Sequence, residues 1–289
     1  VGKLSFGART ERVRVESLGN PKMDRFFVGK RDFKPSSLAL GALWNLTPNT
    51  QLTSNLSRSE RAPKDYELFA NGPHVATGAW EAGNPDLGKE RSFNLDLGLQ
   101  WKSGPQQAKI GVFSNRFENY ISLEATGQTR EDLPEFAYRP VRARFQGVEA
   151  GGTVRLLESH STVDLELRGD LVRATNLDNG QPLPRIAPAR IGATLVWAQG
   201  PWGARIGFDH SMAQDRVPAG DRATQAYNLW KAALTWRMKA GEADLLWYAR
   251  LDNIGDRLAY SASSILTQTA PGKSPLPGRS LKFGLRASF

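Results

Sequence analysis

Phe93-Asn94-Leu95-Asp96-Leu97-Gly98-Leu99-Gln100-Trp101 places an apolar residue at every odd position and a polar residue or glycine at every even one. Successive side chains of a β-strand point to opposite faces, so this stretch predicts a strand with one apolar face and one wet face. The same alternation appears on both sides of it. Val163, Leu165, Leu167 and Leu171 interleave with Asp164, Glu166, Arg168 and Asp170. Trp202, Ala204, Ile206 and Phe208 interleave with Gly203, Arg205, Gly207 and Asp209, and Leu281, Phe283, Leu285, Ala287 and Phe289 with Ser280, Lys282, Gly284, Arg286 and Ser288. Upstream, Leu38, Leu40, Ala42, Trp44 and Leu46 share a parity that only Leu43 interrupts.

A soluble β-sandwich also contains half-greasy strands, with the apolar face turned into a core. Three details favour a transmembrane antiparallel β-barrel instead. The alternating segments run to about ten residues, longer than the usual strand and close to a tilted bilayer span. Trp44, Trp101, Trp197, Trp202, Trp236 and Phe289 sit near segment ends, as interfacial girdle residues do. The wet faces carry charges and glycines, which suit a water-filled or plugged lumen.

Composition is consistent with this reading. The 289 residues include 40% hydrophobic residues, yet no run of about eighteen apolar residues occurs, so no transmembrane helix is predicted. The negative mean hydropathy does not argue against a barrel, because alternating strands average to a polar score. The absence of cysteine excludes disulfides, thiolate metal sites and cysteine nucleophiles. The net charge of +9 is spread along the chain rather than gathered into a patch, so no nucleic-acid partner is expected.

Connections alternate in length. Thr47-Pro48-Asn49-Thr50, Ser103-Gly104-Pro105, Gln199-Gly200-Pro201, Ala240-Gly241 and the link from Leu157 to Ser161 read as tight turns. Between them lie long polar stretches near 19–34, 58–90, 121–137, 175–187, 212–224 and 255–277. Short turns on one side and long loops on the other are the outer-membrane barrel pattern. Twelve strands are expected, near 3–17, 36–46, 51–59, 91–102, 107–120, 139–157, 162–174, 189–198, 202–211, 225–238, 242–253 and 279–289.

A family resemblance enters at Arg61-Ala62-Pro63-Lys64-Asp65-Tyr66-Glu67-Leu68-Phe69, followed by Gly83-Asn84-Pro85-Asp86-Leu87 and Lys89-Glu90-Arg91-Ser92. Asn115-Arg116-Phe117-Glu118-Asn119-Tyr120-Ile121, Gly147-Val148-Glu149-Ala150, Leu251-Asp252-Asn253-Ile254 and the aromatic terminus follow in order. This succession resembles the barrel of TonB-dependent outer-membrane receptors. The resemblance implies that residues 1–289 are the C-terminal portion of a larger, 22-stranded plugged barrel. It also implies that the plug domain, the TonB box and about ten strands lie outside this chain. The expected location is the cell outer membrane of a Gram-negative bacterium. The implied function is uptake of a scarce nutrient, with TonB acting through the plug and with membrane lipid and the barrel-assembly machinery as further partners.

Gly72-Pro73-His74-Val75-Ala76-Thr77-Gly78, running on to Trp80-Glu81-Ala82-Gly83-Asn84, resembles a loop of the family's zinc-uptake receptors. By that resemblance zinc is the favoured transported ligand, with His74 as a metal-binding position. Imidazole suits zinc, and loop carboxylates, Glu81 among them, could assist. One histidine does not make a site, and a loop histidine without a ligand is the competing reading. A ferric siderophore or haem receptor of the same family is the alternative, as is a barrel that does not transport, either a passive porin or an adhesin.

Arg61 through Phe69 reads as a short helix with Pro63 in its first turn, organising the loop base. Asp164, Glu166, Arg168 and Asp170 have a period of two, which makes them one lumenal strand face rather than an acid–base cluster. No nucleophile-elbow, zinc-protease or phosphate-loop motif occurs, so no enzyme activity and no resident cofactor are expected. Phe283, Leu285 and the terminal Phe289 resemble the C-terminal signal read by the barrel-assembly machinery.

Overall fold

A computed structural model describes residues 2–20, 22 and 25–289. The chain runs β1 (Gly2–Thr10), β2 (Val13–Ser17), β3 (Gly29–Phe33), β4 (Ser36–Thr47), β5 (Thr50–Arg61), α1 (Asp65–Phe69), β6 (Asn71–His74), β7 (Ala79–Ala82) and β8 (Glu90–Ser103). It continues β9 (Gln106–Arg130), β10 (Leu133–Glu158), β11 (Thr162–Asn176), β12 (Arg190–Gln199), β13 (Trp202–Ser211), β14 (Tyr227–Ala240), β15 (Ala243–Asp252), α2 (Leu266–Thr269) and β16 (Ser280–Ser288). Fourteen of the strands form one sheet, and with β6 and β7 set aside its path is β1-β4-β5-β8-β9-β10-β11-β12-β13-β14-β15-β16, twelve strands as expected. Every neighbouring pair on that path is antiparallel. Among the described residues β1 and β16 each have one neighbour, so the sheet is open at both ends.

The register aligns the apolar parities. Leu40 pairs Leu56, which pairs Leu95, and Leu97 pairs Val112, which pairs Val148, which pairs Leu171. Cross-strand partners share a face, so these residues form one continuous apolar wall. Most of its side chains stay exposed, Leu40 at 53% and Val112 at 46% among them, which water would not tolerate over such an area and lipid requires. Near the tight-turn end Trp202 stacks on Trp236 at 5.8 Å, and Trp236 pairs with Trp247, an interfacial aromatic row.

The opposite face carries the charges in pairs. Asp170 accepts from Arg190 at 3.1 Å, Asp209 takes both Arg168 and Lys231, and Glu166 and Asp164 take Arg205 and Arg155. The four residues with a period of two are thus a strand face with partners on neighbouring strands. Gly192 lies between Arg168 and Asp209, where a Cβ would sit 2.6 Å from the Asp209 carboxylate, so that ion pair needs glycine.

Three expectations are corrected. The first strand does not continue to residue 17: the chain leaves the sheet after Thr10, and β2 pairs with β3 in a separate two-stranded sheet. The expected loop 19–34 therefore contains a strand, and its residues 21, 23 and 24 lie outside the described residues. The expected loop 121–137 is instead the top of a hairpin in which β9 has 25 residues and β10 has 26. Glu131 and Asp132 turn it with φ of 48° and 62°, the left-handed pair that a two-residue hairpin demands. Strands that long reach well past a bilayer, which takes about ten residues. Above the lipid they alternate between loop core and water, so their composition reads as loop.

Candidate functional site

The long-loop end of the wet face is covered by folded loops. Arg61 anchors them: its guanidinium donates to Glu67 Oε2 at 2.7 Å and to both oxygens of Glu90 at 3.0 and 3.2 Å. Glu67 also accepts the Lys64 amide at 2.7 Å, capping α1, and Glu90 accepts the Ile121 amide at 3.0 Å. The helix starts at Asp65, so Pro63 precedes it rather than occupying its first turn. Leu68 and Phe69 then bury against Phe33, Leu87, Ile121 and Tyr138. Gly83 lies flat on the end of α1, donating its amide to Ala70 at 2.6 Å, and a Cβ there would meet three backbone atoms within 2.8 Å.

Residues after α1 form the β6–β7 hairpin, and β7 adds in parallel to the upper part of β10. This places the two residues singled out from the sequence in contact: His74 Nδ1 lies 2.8 Å from Glu81 Oε1. Glu81 is buried and also accepts from Thr77 Oγ1 at 2.9 Å and from the Tyr138 hydroxyl at 3.3 Å, while His74 keeps an exposed edge. Among the described residues no group of three or more His, Asp or Glu side chains stands close enough to hold a metal ion.

The pair lines a cavity of about 660 Å³ whose other walls include Tyr66, Tyr138, Arg25 and Arg185. Four connections and the β9–β10 hairpin contribute to it, and the last connection closes over it through Ser263 and Ile265, tied down where Thr269 donates to the Thr77 carbonyl. Arg185 reaches it from the loop after β11. That loop is seated by Leu183, buried with Val141, Ala143 and Ala174. One Arg185 nitrogen donates to the Leu123 carbonyl at 2.6 Å, while among the described residues its buried Nη1 has no partner. Burial pushes the guanidinium below its ordinary value, and arginine is not deprotonated in proteins, so it remains a cation.

Arg185, Arg25 and Tyr138 were not picked out from the sequence, and Tyr66 entered only as part of the Arg61–Phe69 segment. Only the run Leu183-Pro184-Arg185-Ile186, an arginine between two apolar anchors in a polar loop, hinted at one of them. The other sequence-selected residues lie elsewhere. Phe283 and Leu285 lie on the apolar wall opposite Ala249 and Trp247, and Phe289 extends past β16 fully exposed.

Comparison with known proteins adds the following. A family model described as TonB dependent receptor-like, beta-barrel matches residues 3–254. Lactoferrin-binding protein A of Neisseria meningitidis serogroup A is 25% identical over 94% of this chain and 34% of its own length. The iron-regulated outer membrane virulence protein of Vibrio cholerae is 33% identical over a shorter part, 29% of this chain and 13% of its own. The chain therefore spans about a third of the length of that lactoferrin-binding relative. Among solved structures, the copper transporter OprC superposes with a TM-score of 0.80 at 20% identity, covering 98% of this chain and 44% of that one. The FrpB iron transporter of Neisseria meningitidis follows with 0.68 at 14% identity, covering 98% and 42%. At these identities the superpositions establish the fold.

Proposed function

Because the chain belongs to the TonB-dependent receptor β-barrel family, an outer-membrane family, we propose that it forms wall and extracellular loops of a receptor that takes up a scarce metal as an anionic chelate. The observation that carries the reading is the Arg185 guanidinium, whose buried Nη1 is unpaired among the described residues at the wall of the loop cavity. A buried guanidinium nitrogen without an acceptor is costly, and an incoming carboxylate or phenolate oxygen would remove that cost. Arg25 adds positive charge, and Tyr66 and Tyr138 add aromatic walls. The iron-linked names of several relatives support the same reading.

A second reading rests on a different observation. His74 and Glu81 are in contact at the cavity wall and could supply two donors to a zinc ion carried as cargo. Zinc takes three or four ligands, so the remainder would come from other parts of the receptor. Glu81 already has three partners and two arginines stand nearby, which favours the anion.

Uptake of radio-iron chelates and of radio-zinc by cells carrying the full-length receptor separates the two. Arg185→Ala is expected to weaken chelate binding by about 2 kcal/mol, roughly thirtyfold, the worth of a hydrogen bond to a charged group. His74→Ala is expected to leave it within about twofold. Loss of zinc uptake in His74→Ala, with chelate binding untouched by Arg185→Ala, would reverse the assignment. In this proposal the energy-transducing TonB complex acts on the receptor's plug, and Phe283, Leu285 and Phe289 are read by the barrel-assembly machinery.

A further inference from the structure

The outward wall ends, at its long-loop side, in arginines. Cross-strand pairing puts Arg58 on β5 opposite Phe93 on β8, Phe93 opposite Arg116 on β9, and Arg116 opposite Arg144 on β10. Arg144 in turn pairs with Thr175 on β11, and Arg173 lies two residues below it on the same face. Phe93 belongs to the apolar parity, so these guanidiniums share its lipid side, one level above Leu56 and Leu95. All four arginines are exposed.

The carboxylates of this rim are engaged with other cations. Glu60 takes Lys89 and Arg91, Glu118 takes Arg91 at 3.5 Å, and Asp178 takes Arg142 at 2.6 Å. Among the described residues Arg58, Arg116, Arg144 and Arg173 have neither an ion pair nor a side-chain hydrogen bond. The contrast with the lumenal face is sharp: Arg155, Arg168, Arg190 and Arg205 each have a carboxylate there. Like charges directly opposite one another on a sheet repel, and Arg116 faces Arg144 across adjacent strands about 4.8 Å apart. Solvation by snorkelling would serve one arginine. A row of four, with two directly opposed, calls for multivalent anions.

We propose that Arg58, Arg116, Arg144 and Arg173 form a docking site for the phosphomonoester headgroup of an outer-leaflet lipid whose acyl chains lie along the wall formed by Leu56, Leu95, Val112 and Leu171. The apolar surface directly below the guanidiniums makes a membrane lipid, rather than free phosphate, the occupant. Guanidinium binds phosphate through two parallel charge-assisted hydrogen bonds. In this arrangement a headgroup with two phosphates would place one between the directly opposed Arg116 and Arg144 and the other toward Arg58 or Arg173.

The test uses the full-length receptor in phosphatidylcholine nanodiscs doped with bisphosphorylated lipid A, with monophosphorylated lipid A, or with phosphatidylglycerol, and reads co-retained lipid by native mass spectrometry. Bisphosphorylated lipid A is expected to be retained about tenfold over phosphatidylglycerol, with the monophosphorylated form between them. Arg116→Ala combined with Arg144→Ala is expected to remove most of that preference, and the Arg→Lys pair only part of it. Heat-modifiable migration of both variants checks that the barrel is intact. Equal retention of the three lipids, an unchanged preference in the folded alanine variant, or full displacement by millimolar inorganic phosphate would overturn the proposal.

Discussion

Gly83 shows how much of a family-like motif is structural. Its missing side chain lets the segment Gly83-Asn84-Pro85 lie against α1, where the amides of Gly83 and Asn84 donate to Ala70 and Glu67. A Cβ would stand 2.7 Å from the Leu68 carbonyl carbon and the Phe69 nitrogen, backbone atoms that cannot swing away. Gly83→Ala is therefore expected to cost about 1–3 kcal/mol of loop packing. Limited proteolysis of the full-length receptor should find new cleavage between residues 62 and 89, with barrel migration unchanged. Asn119 and Asn253 belong to the same class. Asn119 holds the Lys89 and Arg91 backbones, and buried Asn253 brackets Arg257 and Pro277 at the base of the last loop. These residues are legible as motifs because each ties a strand end to a loop, a job with one geometric solution.

At the level of elements, the loop after β11 is the strap that delivers Arg185. It is latched by Asp178, whose carboxylate accepts the Arg142 amide at 2.7 Å and its Nε at 2.6 Å. The Arg142 side-chain hydrogen bond, followed by that of its amide, holds the Asp178 carboxyl below its ordinary value. A carboxyl lowered in the folded state contributes above its unfolded pKa, about 3.9, and the contribution is lost as pH falls through the lower folded value. The latch should therefore hold at neutral pH and release only in acid below about 3.9. A methyl-labelled Ile186 signal in the full-length receptor should shift in that range and stop titrating there in Asp178→Asn. A shift centred near pH 6 would point to a different group.

For the whole molecule, the decisive fact is that among the described residues β1 and β16 each offer a bare strand edge. In lipid, unpaired backbone groups have no water to bond, so both edges must find a strand partner when the sheet lies in a membrane. At its far end Phe289 continues the apolar parity of Phe283 and Leu285. If this stretch is read during assembly, replacing Phe283, Leu285 and Phe289 together by serine in the full-length receptor should lower the heat-modifiable barrel yield in cells. Unchanged yield would remove the assembly role from these three residues.

Alternation, read with segment length, end-placed aromatics and turn lengths, was enough to indicate the class, the twelve strands of the main path and the lipid face, because a period of two is a local property and the bilayer selects one parity of every strand. Phe93 to Trp101 shows that parity within nine residues. Proximity in the loops is a different matter. His74 and Glu81 could be named from a loop resemblance, but their contact depends on β7 adding to β10, and the Arg185 that shares their cavity arrives from a loop over 100 residues later. The Arg116–Arg144 pair likewise becomes visible only through register. Sequence determined which residues face lipid, because the period is written in neighbouring positions. Tertiary structure decided which charges meet, because strand pairing and loop packing join residues whose separation along the chain encodes no distance.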